Sequence, residues 1–466
     1  MGPNDRLNAL KKQQTAWNSL DWAHYQTVHM LEGDIWELYG GVLAQGRRSG
    51  PLGFRQLPSH YRGIEERVWG VHVPGIALRD FTMDPSQDLL VLIDGPQLQT
   101  SARDAKLRTI IHLRTLAAGK PHPQAVSSGV LVHDVDIRAG RLSFAIQVCG
   151  DHVAIHFISS IDSLAEPELA VWNWKTGNLK LNVTELKEGT FAFVDNRYML
   201  VAGTFESNEG LTQPRLVVFD LEWASGEKVS IDDVEYLCAF DYPPFDRTTD
   251  TLAMSIRSDP TPVWTPHPKH PVPFTTARLH RLYVITTWVR NGDDIVSYDL
   301  FVPSGSFLSH IHRVSPGTTR RNFDWDEWGP MGTRLMRSPP HSSIWVCYVF
   351  GTKFVFLRIP TQNAVQFRNG SRTVEVWDFN QLALKRDLSL GKHVDDENAR
   401  WHTDDTSIVS DGVFAGAVRT TFPYRVITRA LPPQSPQMPK FQQAMCSEDS
   451  IILVDSQGRN FGILTF

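Results

Sequence analysis

Short apolar runs separated by polar turns fill the chain from residue 34 onward, and helical periodicity is nearly absent there. The clearest unit spans Leu169–Leu179, where an apolar strand ending in Trp172-Asn173-Trp174 leads through Lys175-Thr176-Gly177 into a second strand. Variants of this unit recur at Leu216–Leu221, Ile295–Leu300 and Thr373–Phe379. Units repeated every few tens of residues, each ending in a Trp-Asn or Trp-Asp type of strand end, indicate a repeat architecture of the propeller kind.

Many of the predicted strands are apolar on both faces, as in Leu89–Ile93, Val153–Phe157 and Ile451–Val454. This pattern favours blades packed face to face around an axis, because a two-layer sandwich gives cleaner alternation along each strand. The equivalent strand ends lie roughly 45 to 80 residues apart, compared with about 40–45 in regular WD repeats. We therefore predict an all-β propeller of irregular WD-like repeats, with seven blades favoured and six as the alternative.

The N-terminal hairpin beginning at Ile35–Tyr39 and turning at Gly40-Gly41 is expected to complete a blade by pairing with strands from the C-terminus. Before it, Asn4–Trp22 is predicted to form one amphipathic helix, with Leu7, Leu10, Trp17 and Leu20 on one face. An isolated helix of this length is marginal in water, so it must dock. It either packs on its own domain or joins that domain to a further N-terminal module. The predicted division is 1–31 as a helical segment and 32–466 as the propeller.

Four segments interrupt the strand pattern. Residues 257–275 hold six prolines and two histidines, and proline removes backbone donors, so the pattern predicts a surface loop. Residues 316–342, 391–411 and 431–440 are predicted as three further loops.

Composition excludes several classes of protein. The 466 residues are 41% hydrophobic and carry a net charge of -5, and an acidic chain without a basic stripe argues against nucleic-acid binding. No apolar stretch approaches the length of a membrane helix, and the N-terminus lacks the core of a secretory signal, so a cytoplasmic or nuclear location without membrane contact is expected. The four cysteines lie far apart, which predicts buried single thiols.

Candidate chemistry is sparse. His267 with His270, and His310 with His312, are too few ligands for zinc, and Asp324-x-Asp326 lacks the later ligands of a calcium loop. No nucleophile elbow, zinc-protease motif, P-loop or dinucleotide fingerprint is present, so we predict no catalytic residues, no cofactor and no metal. Trp325 and Trp328 stand in a polar loop and are the candidate partner contact, since tryptophan is enriched at binding hot spots. The alternative is that both indoles pack against a neighbouring blade.

Several packing and turn motifs together resemble a fungal family of F-box proteins, of the kind found in mushroom-forming (basidiomycete) species. The motifs are Ala16–Trp22, Arg79–Leu90, His112–Leu116, Gly119–Pro123, Val171–Gly177 and Phe422–Arg425, and the resemblance runs from about Trp17 to Phe466. It implies a propeller that holds a protein target for a ubiquitin ligase. The F-box itself, a helical module that binds a Skp-type adaptor, is not recognisable before residue 34, so that partner is expected only if an F-box lies upstream of this chain.

Two functions follow as expectations. The first is a protein-interaction module resembling the target-recognition part of an F-box ubiquitin-ligase receptor. The alternative is a propeller enzyme acting on a small molecule or glycan in the central channel. Converging carboxylates in that channel would favour the second, and an apolar plug would exclude it.

Overall fold

The structure is a computed structural model that describes residues 1–30, 33, 35–48, 50–100, 105–136, 142–159, 166–186, 189–206, 212–266, 272–278, 280–339, 341, 346–359, 372–391, 395, 398–431 and 440–466. Four α-helices are present in these ranges: α1 (Pro3–Ser19), α2 (Ser304–Ile311), α3 (Trp325–Gly332) and α4 (Gln381–Ser389). A single turn of 3-10 helix spans Pro85–Gln87.

Strands make up most of the remainder. The first seventeen are β1 (His24–His29), β2 (Ile35–Tyr39), β3 (Val42–Gly46), β4 (Leu52–Gln56), β5 (Arg67–Val71), β6 (Leu78–Asp84), β7 (Leu89–Asp94), β8 (Gln97–Thr100), β9 (Ala105–Thr115), β10 (Val130–Asp136), β11 (Leu142–Cys149), β12 (His152–Ser159), β13 (Glu168–Asn173), β14 (Leu179–Thr184), β15 (Thr190–Phe193), β16 (Tyr198–Glu206) and β17 (Thr212–Asp220). The remaining seventeen are β18 (Lys228–Ser230), β19 (Cys238–Asp241), β20 (Thr249–Arg257), β21 (Leu282–Asn291), β22 (Asp294–Pro303), β23 (Arg321–Phe323), β24 (Arg334–Arg337), β25 (Val349–Phe350), β26 (Lys353–Arg358), β27 (Thr373–Asp378), β28 (Ala399–His402), β29 (Ser407–Val409), β30 (Val418–Thr420), β31 (Tyr424–Ala430), β32 (Phe441–Cys446), β33 (Ser450–Asp455) and β34 (Asn460–Thr465).

These strands form seven blades of antiparallel sheet. In chain order, blade 1 is β2–β5, blade 2 is β6–β10, blade 3 is β11–β14, blade 4 is β15–β17 with β19, blade 5 is β20–β22 with β24, blade 6 is β25–β27 with β31 and β28, and blade 7 is β32–β34 with β1. The first strands of successive blades touch one another, as β2 touches β6 and β6 touches β11, so they lie innermost around a common axis. The seven-bladed propeller predicted from the repeats is confirmed.

The ring closes within blade 7. Strand β1 pairs antiparallel with β34, from His24 opposite Thr465 to His29 opposite Asn460. The closing strand is therefore His24–His29, and the Ile35 hairpin expected to close the ring instead begins blade 1. The predicted boundary at residue 31 is not a structural division, because β1 belongs to the propeller. Joining both termini in one sheet covers the edge of β34 with β1 and ties the two ends of the chain together at the closure.

The core lies between the blades. Seven apolar clusters of buried side chains are present, one for each gap between neighbouring blades. The cluster between blades 7 and 1 contains Ile452 and Phe461 from one side and Leu38 and Leu43 from the other. Strands covered on both faces explain the continuous apolar runs, such as β33, in which every residue is buried.

Three insertions cover the outer edges of preceding blades. Each lies between the third and fourth strands of its own blade and reaches back to the fourth strand of the blade before it. Strand β18 pairs in parallel with β14, β23 pairs in parallel with β19, and the β29–β30 hairpin packs on β24. The predicted loop 316–342 contains β23 and α3, and the described part of the predicted loop 391–411 contains β29, so both include edge-covering strands, and pairing protects the exposed backbone of an edge strand.

Candidate functional site

The first strand of each blade ends on the same side of the ring, which we call the upper face. Its turns include Gly40-Gly41, Gly150-Asp151, Gly351-Thr352 and Ser447–Asp449, and the connections between third and fourth strands emerge on the same side. Because α1 leads directly into β1, and β1 runs from the upper face, α1 also lies there. The upper face therefore carries α1, α4 and the long segment between β20 and β21.

Helix α1 begins at Pro3, where the missing amide of proline costs no hydrogen bond, and ends where Leu20 adopts a left-handed conformation. Only its second half is buried against the ring, through Gln13, Ala16, Trp17 and Leu20, and Leu7 remains 48% exposed. The Trp17 ring stacks on Phe466 with centroids 4.0 Å apart. The ammonium of Lys353 lies over the Trp17 ring, 4.9 Å from its centroid. The helix therefore packs on its own domain.

A buried arginine fixes the C-terminal half of α1. Arg425 on β31 forms ion pairs with Asp378 at 2.9 Å and with Asp387 of α4 at 3.3 Å. It also donates a hydrogen bond of 2.6 Å to the side-chain oxygen of Asn18. Burial acts to raise the pKa of Asp378. The positive charges of Lys353 and Arg425 outweigh this effect and hold that pKa below its ordinary value. One guanidinium thus joins α1, α4 and blade 6.

A second polar cluster joins α1 to the turn of blade 7. Gln13 donates to Asp449 at 2.6 Å, and Arg62 pairs with Asp449 at 2.6 Å and with Glu448 at 2.7 Å. Thr276 donates to the other oxygen of Glu448 at 3.0 Å. Burial, offset in part by Arg62, raises the pKa of Glu448 to about 7.

The proline-rich segment 258–281 is a loop, as its composition predicts, but its first part is not on the surface. Pro260, Thr261, Pro262 and Trp264 are buried where the segment crosses the upper end of the axis. We call the described residues of this segment, 258–266, 272–278 and 280–281, the cap. The prediction of a surface loop is corrected here, because proline content indicates an irregular backbone and carries no information about where that backbone packs.

The cap contacts blades on opposite sides of the ring. The hydroxyls of Thr261 and Tyr39 in blade 1 are 2.5 Å apart, and the amide of Gly351 in blade 6 donates to the carbonyl of Asp259 at 2.7 Å. Arg281 is buried and donates to the carbonyl of Val194 in blade 4 at 2.8 Å. A void of about 10 Å³, roughly the space of one water molecule, lies under the cap beside Cys347 and Cys446.

An open groove of about 450 Å³ lies between α1, the cap and α4. Its lining combines apolar side chains with amide and charged groups: Leu10, Gln13, Gln14, Trp17 and Asn18 from α1; Phe274, Thr275, Thr276, Ala277 and His280 from the cap; Phe350, Gly351, Thr352, Lys353, Asp378, Asn380, Leu382, Ala383 and Arg386 from blade 6 and α4; and Glu448. Leu382 stands at its rim and is 64% exposed. A concave surface of this size lies within the range of ligand-binding clefts.

The central channel is a second candidate site. Along the first strands the residues near the lower face are half-exposed, and those near the cap are buried, as in β6 and β32. Glu37 of β2 and Asp80 of β6 are among these half-exposed residues, and Asp259 of the cap is half-exposed as well. Burial is the main cause that raises their pKa values, to about 8 for Glu37 and about 6 for Asp80 and Asp259, and the charge of Asp259 raises that of Glu37 further. The channel thus carries carboxyl groups, and the cap covers its upper end.

Trp325 and Trp328, the partner contact predicted from the sequence, do not form a surface patch. They belong to α3 and are 8% and 2% exposed. The two rings pack edge to face, and Trp328 also contacts Phe240 and donates to the carbonyl of Asp241 at 2.9 Å. The expectation is corrected in favour of the alternative, because a short helix turns both indoles inward onto blade 4.

The histidine pairs considered as metal ligands do not form a metal site in the described part of the chain. His267 and His270 lie outside the described residues. His310 belongs to α2, where its ring bonds the carbonyl of Ser306, and His312 caps that helix. No group of three or more His, Cys, Asp or Glu in the described part of the chain could hold a metal ion. All four cysteines are buried and free, as predicted.

Sequence reasoning did not find the groove residues. Lys353, Leu382 and Arg425 are separated from α1 by more than three hundred residues, and no local motif marks them. The one available signal was the predicted apolar face of α1, which required a docking surface. Glu37 and Asp80 were also missed, because a carboxylate inside an apolar run indicates only a break in the pattern.

No protein-family model matches this chain, and no curated protein matches it. Among solved structures it is similar to BamB from Moraxella catarrhalis, with 9% sequence identity and a TM-score of 0.32 over 95% of this chain and 98% of that one. Similarity at this level carries no argument about the chain. No helix in the described ranges has the length and apolar character needed to cross a membrane. The strand pairing by itself makes this chain a seven-bladed β-propeller with a capped upper face.

Proposed function

We propose that this protein is a binding module that holds a polypeptide target on its upper face, in the groove between α1, the cap and α4. The propeller is an architecture typical of protein-interaction scaffolds, although a fold alone does not define a function. The groove is the observation that carries the proposal. It is open, it is large enough for several side chains, and its rim leaves Leu382 exposed to solvent.

The finer proposal rests on the resemblance to basidiomycete F-box proteins. There the propeller presents a target to a ubiquitin ligase, and the F-box that binds the Skp-type adaptor precedes it. Helix α1 is anchored by Trp17 and Asn18, and most of its first half is exposed. Anchored in this way, α1 would hold an adaptor-binding module at a fixed distance from the groove. The proposed location is cytoplasmic or nuclear.

The experiment is to block the groove without disturbing the ring. Ala383 lines the groove and is only partly buried, so Ala383→Trp should fill it. Leu98→Asp on β8, where Leu98 is 62% exposed, is the matched control far from the groove. Affinity purification from fungal cells should recover partners with the unmodified chain and with Leu98→Asp, and lose them with Ala383→Trp. Equal recovery with all three would overturn the proposal.

A second function is favoured by one observation, the three carboxylates of the channel. Raised pKa values are common where carboxyl groups act as acids or bases, so Glu37, Asp80 and Asp259 support binding or turnover of a small polar molecule or glycan entering from the lower face. Screening with a panel of oligosaccharides would test it. Hydrolysis or binding that is lost in Glu37→Gln and kept in Ala383→Trp would favour this function over the first.

A further inference from the structure

One arginine serves two buried carboxylates where α1 and the cap meet the turn of blade 7. Arg62 pairs with Asp449 at 2.6 Å and with Glu448 at 2.7 Å, and the three side chains are at most 8% exposed. When all three groups are ionised, two negative charges face one positive charge. Keeping the excess charge away from water is costly, and the cost is avoided if one carboxyl group holds a proton.

The same two carboxylates hold the parts of the upper face that belong to no blade. Gln13 of α1 donates to Asp449 at 2.6 Å, and Thr276 of the cap donates to Glu448 at 3.0 Å. Helix α1 precedes the first strand, and the cap connects β20 to β21, so both can shift without breaking a strand pairing. Because Gln13, Thr276 and Glu448 line the groove together, such a shift would expose Glu448 to water. We call these four residues and Arg62 the junction.

Glu448 is the member of the junction that holds the proton. Asp449 receives two nitrogens of Arg62 and the amide of Gln13, whereas Glu448 receives one nitrogen of Arg62 and a hydroxyl. Burial raises the pKa of Glu448 to about 7, with the charge of Asp449 adding to the rise and the charge of Arg62 offsetting part of it.

The other elements around the groove carry charges of their own. The α1 side chains that line it are uncharged, and the cap contributes the exposed His280. Blade 6 contributes Lys353 and Asp378, which are directly opposite each other on β26 and β27, and α4 contributes Arg386, which pairs with Asp387 at 2.8 Å. Because histidine titrates near neutral pH, His280 is the group from which the junction must be distinguished.

We propose that the junction is a proton-linked switch, which takes up one proton when α1 and the cap close on the ring and releases it when they open. The two walls of the groove are therefore held most firmly at low pH and loosen as the pH rises. The switch itself needs no ligand, and its effect on target binding rests on the proposed function.

The test is hydrogen–deuterium exchange of the full chain at pH 6 and pH 8, compared as protection factors so that the intrinsic pH dependence of exchange is removed. The ordinary pKa of a glutamate, 4.5, applies to Glu448 in the open state, and a pKa of about 7 applies in the closed state. The amides of α1 and of cap residues 272–278 should therefore open about tenfold more often at pH 8 than at pH 6. The buried strand β33 should stay protected at both pH values.

Three variants separate the switch from an ordinary structural ion pair. Glu448→Gln is uncharged at both pH values, so its α1 and cap should be as protected at pH 8 as those of the parent chain at pH 6. A structural ion pair predicts the opposite, because losing the pair with Arg62 would loosen both elements at each pH. Asp449→Asn removes the charge that raises the pKa of Glu448, and should move the transition to lower pH. His280→Gln is the control and should leave the transition unchanged.

The outcomes also separate the switch from the proposed function. Equal protection at pH 6 and pH 8 in the parent chain, a Glu448→Gln variant that is looser at both, or an unmoved transition in Asp449→Asn would overturn the switch. Loss of the pH dependence in His280→Gln would assign it to that histidine and overturn the switch as well. None of these results affects target binding, which Ala383→Trp tests separately.

Discussion

The side-chain oxygen of Asn18 accepts a hydrogen bond of 2.6 Å from Arg425, a residue 407 positions later in the chain. This contact joins the N-terminal helix to the outer part of blade 6, and it forms one wall of the groove. The position of α1, and with it the shape of the binding surface, therefore depends on a few polar contacts with distant residues.

Removing this contact should loosen α1 and leave the ring folded. Asn18→Ala deletes one hydrogen bond to a charged group, worth about 1.5–3 kcal/mol. Arg425 keeps Asp378 and Asp387, so the core of blade 6 is unaffected. We expect faster amide exchange and faster tryptic cleavage at Lys11 and Lys12. Ser19→Ala, which removes only a bond within the helix, is the control and should leave both rates unchanged.

Trp328 should behave as a core residue and not as a binding residue. Trp328→Ala removes a large buried side chain and its hydrogen bond to Asp241, and should lower the free energy of unfolding by about 3–5 kcal/mol. Met331→Ala, in the same helix but 78% exposed, should change it by less than about 0.5 kcal/mol. Urea denaturation measures both. If Trp328→Ala has normal stability but no longer binds a partner, Trp328 is a binding residue and this prediction is wrong.

Ring closure should depend on β1 more than on α1. Removal of residues 1–22 leaves β1 paired with β34, so a cooperative urea transition should remain at a reduced midpoint. Removal of residues 1–30 leaves β34 as an unpaired edge, and should abolish the single transition or cause aggregation. Identical midpoints for the two truncations would contradict closure by His24–His29.

Stability should fall as the pH rises through the range set by Glu37. Its pKa is raised from 4.5 to about 8, first by burial and then by the charge of Asp259. Above pH 4.5 the unfolded chain releases this proton, whereas the folded chain keeps it to about pH 8. The folded state therefore loses stability across that interval, by at most about 1.4 kcal/mol per pH unit for this group.

Glu37→Gln should flatten this slope, and the variant should be more stable than the parent chain at pH 8 relative to pH 5. Urea unfolding at the two pH values provides the comparison, with Glu65→Gln at an exposed position as the control. A parent chain more stable at pH 8 than at pH 5, with no change in Glu37→Gln, would contradict the raised pKa of Glu37.

The blades could be predicted because their physical cause is local. A strand covered on both faces must be apolar at every position, and this pattern marked β7, β12 and β33 directly. Strand β1 escaped notice because its sequence, HYQTVH, is polar, as suits the outermost strand of a blade. Its pairing depends on β34 at the far end of the chain.

The site could not be predicted because its causes are not local. Arg62 and Asp449 pair across 387 positions, and no pattern near either residue indicates the other. The proline-rich composition of the cap predicted its irregular backbone, but the burial of Trp264 depends on where seven blades place their turns. The prediction that Trp325 and Trp328 contact a partner was wrong for a related reason. Their sequence neighbours are polar, but the segment forms a short helix that buries both indoles.

The most direct test of the central claim is photo-cross-linking from the groove in living cells. A benzophenone amino acid placed at Leu382 should give discrete adducts with a polypeptide partner, and these should disappear when Ala383→Trp fills the groove. The same group at Leu98, equally exposed on blade 2, should give none. Adducts of equal strength from both positions, or none from Leu382, would contradict a binding site between α1, the cap and α4.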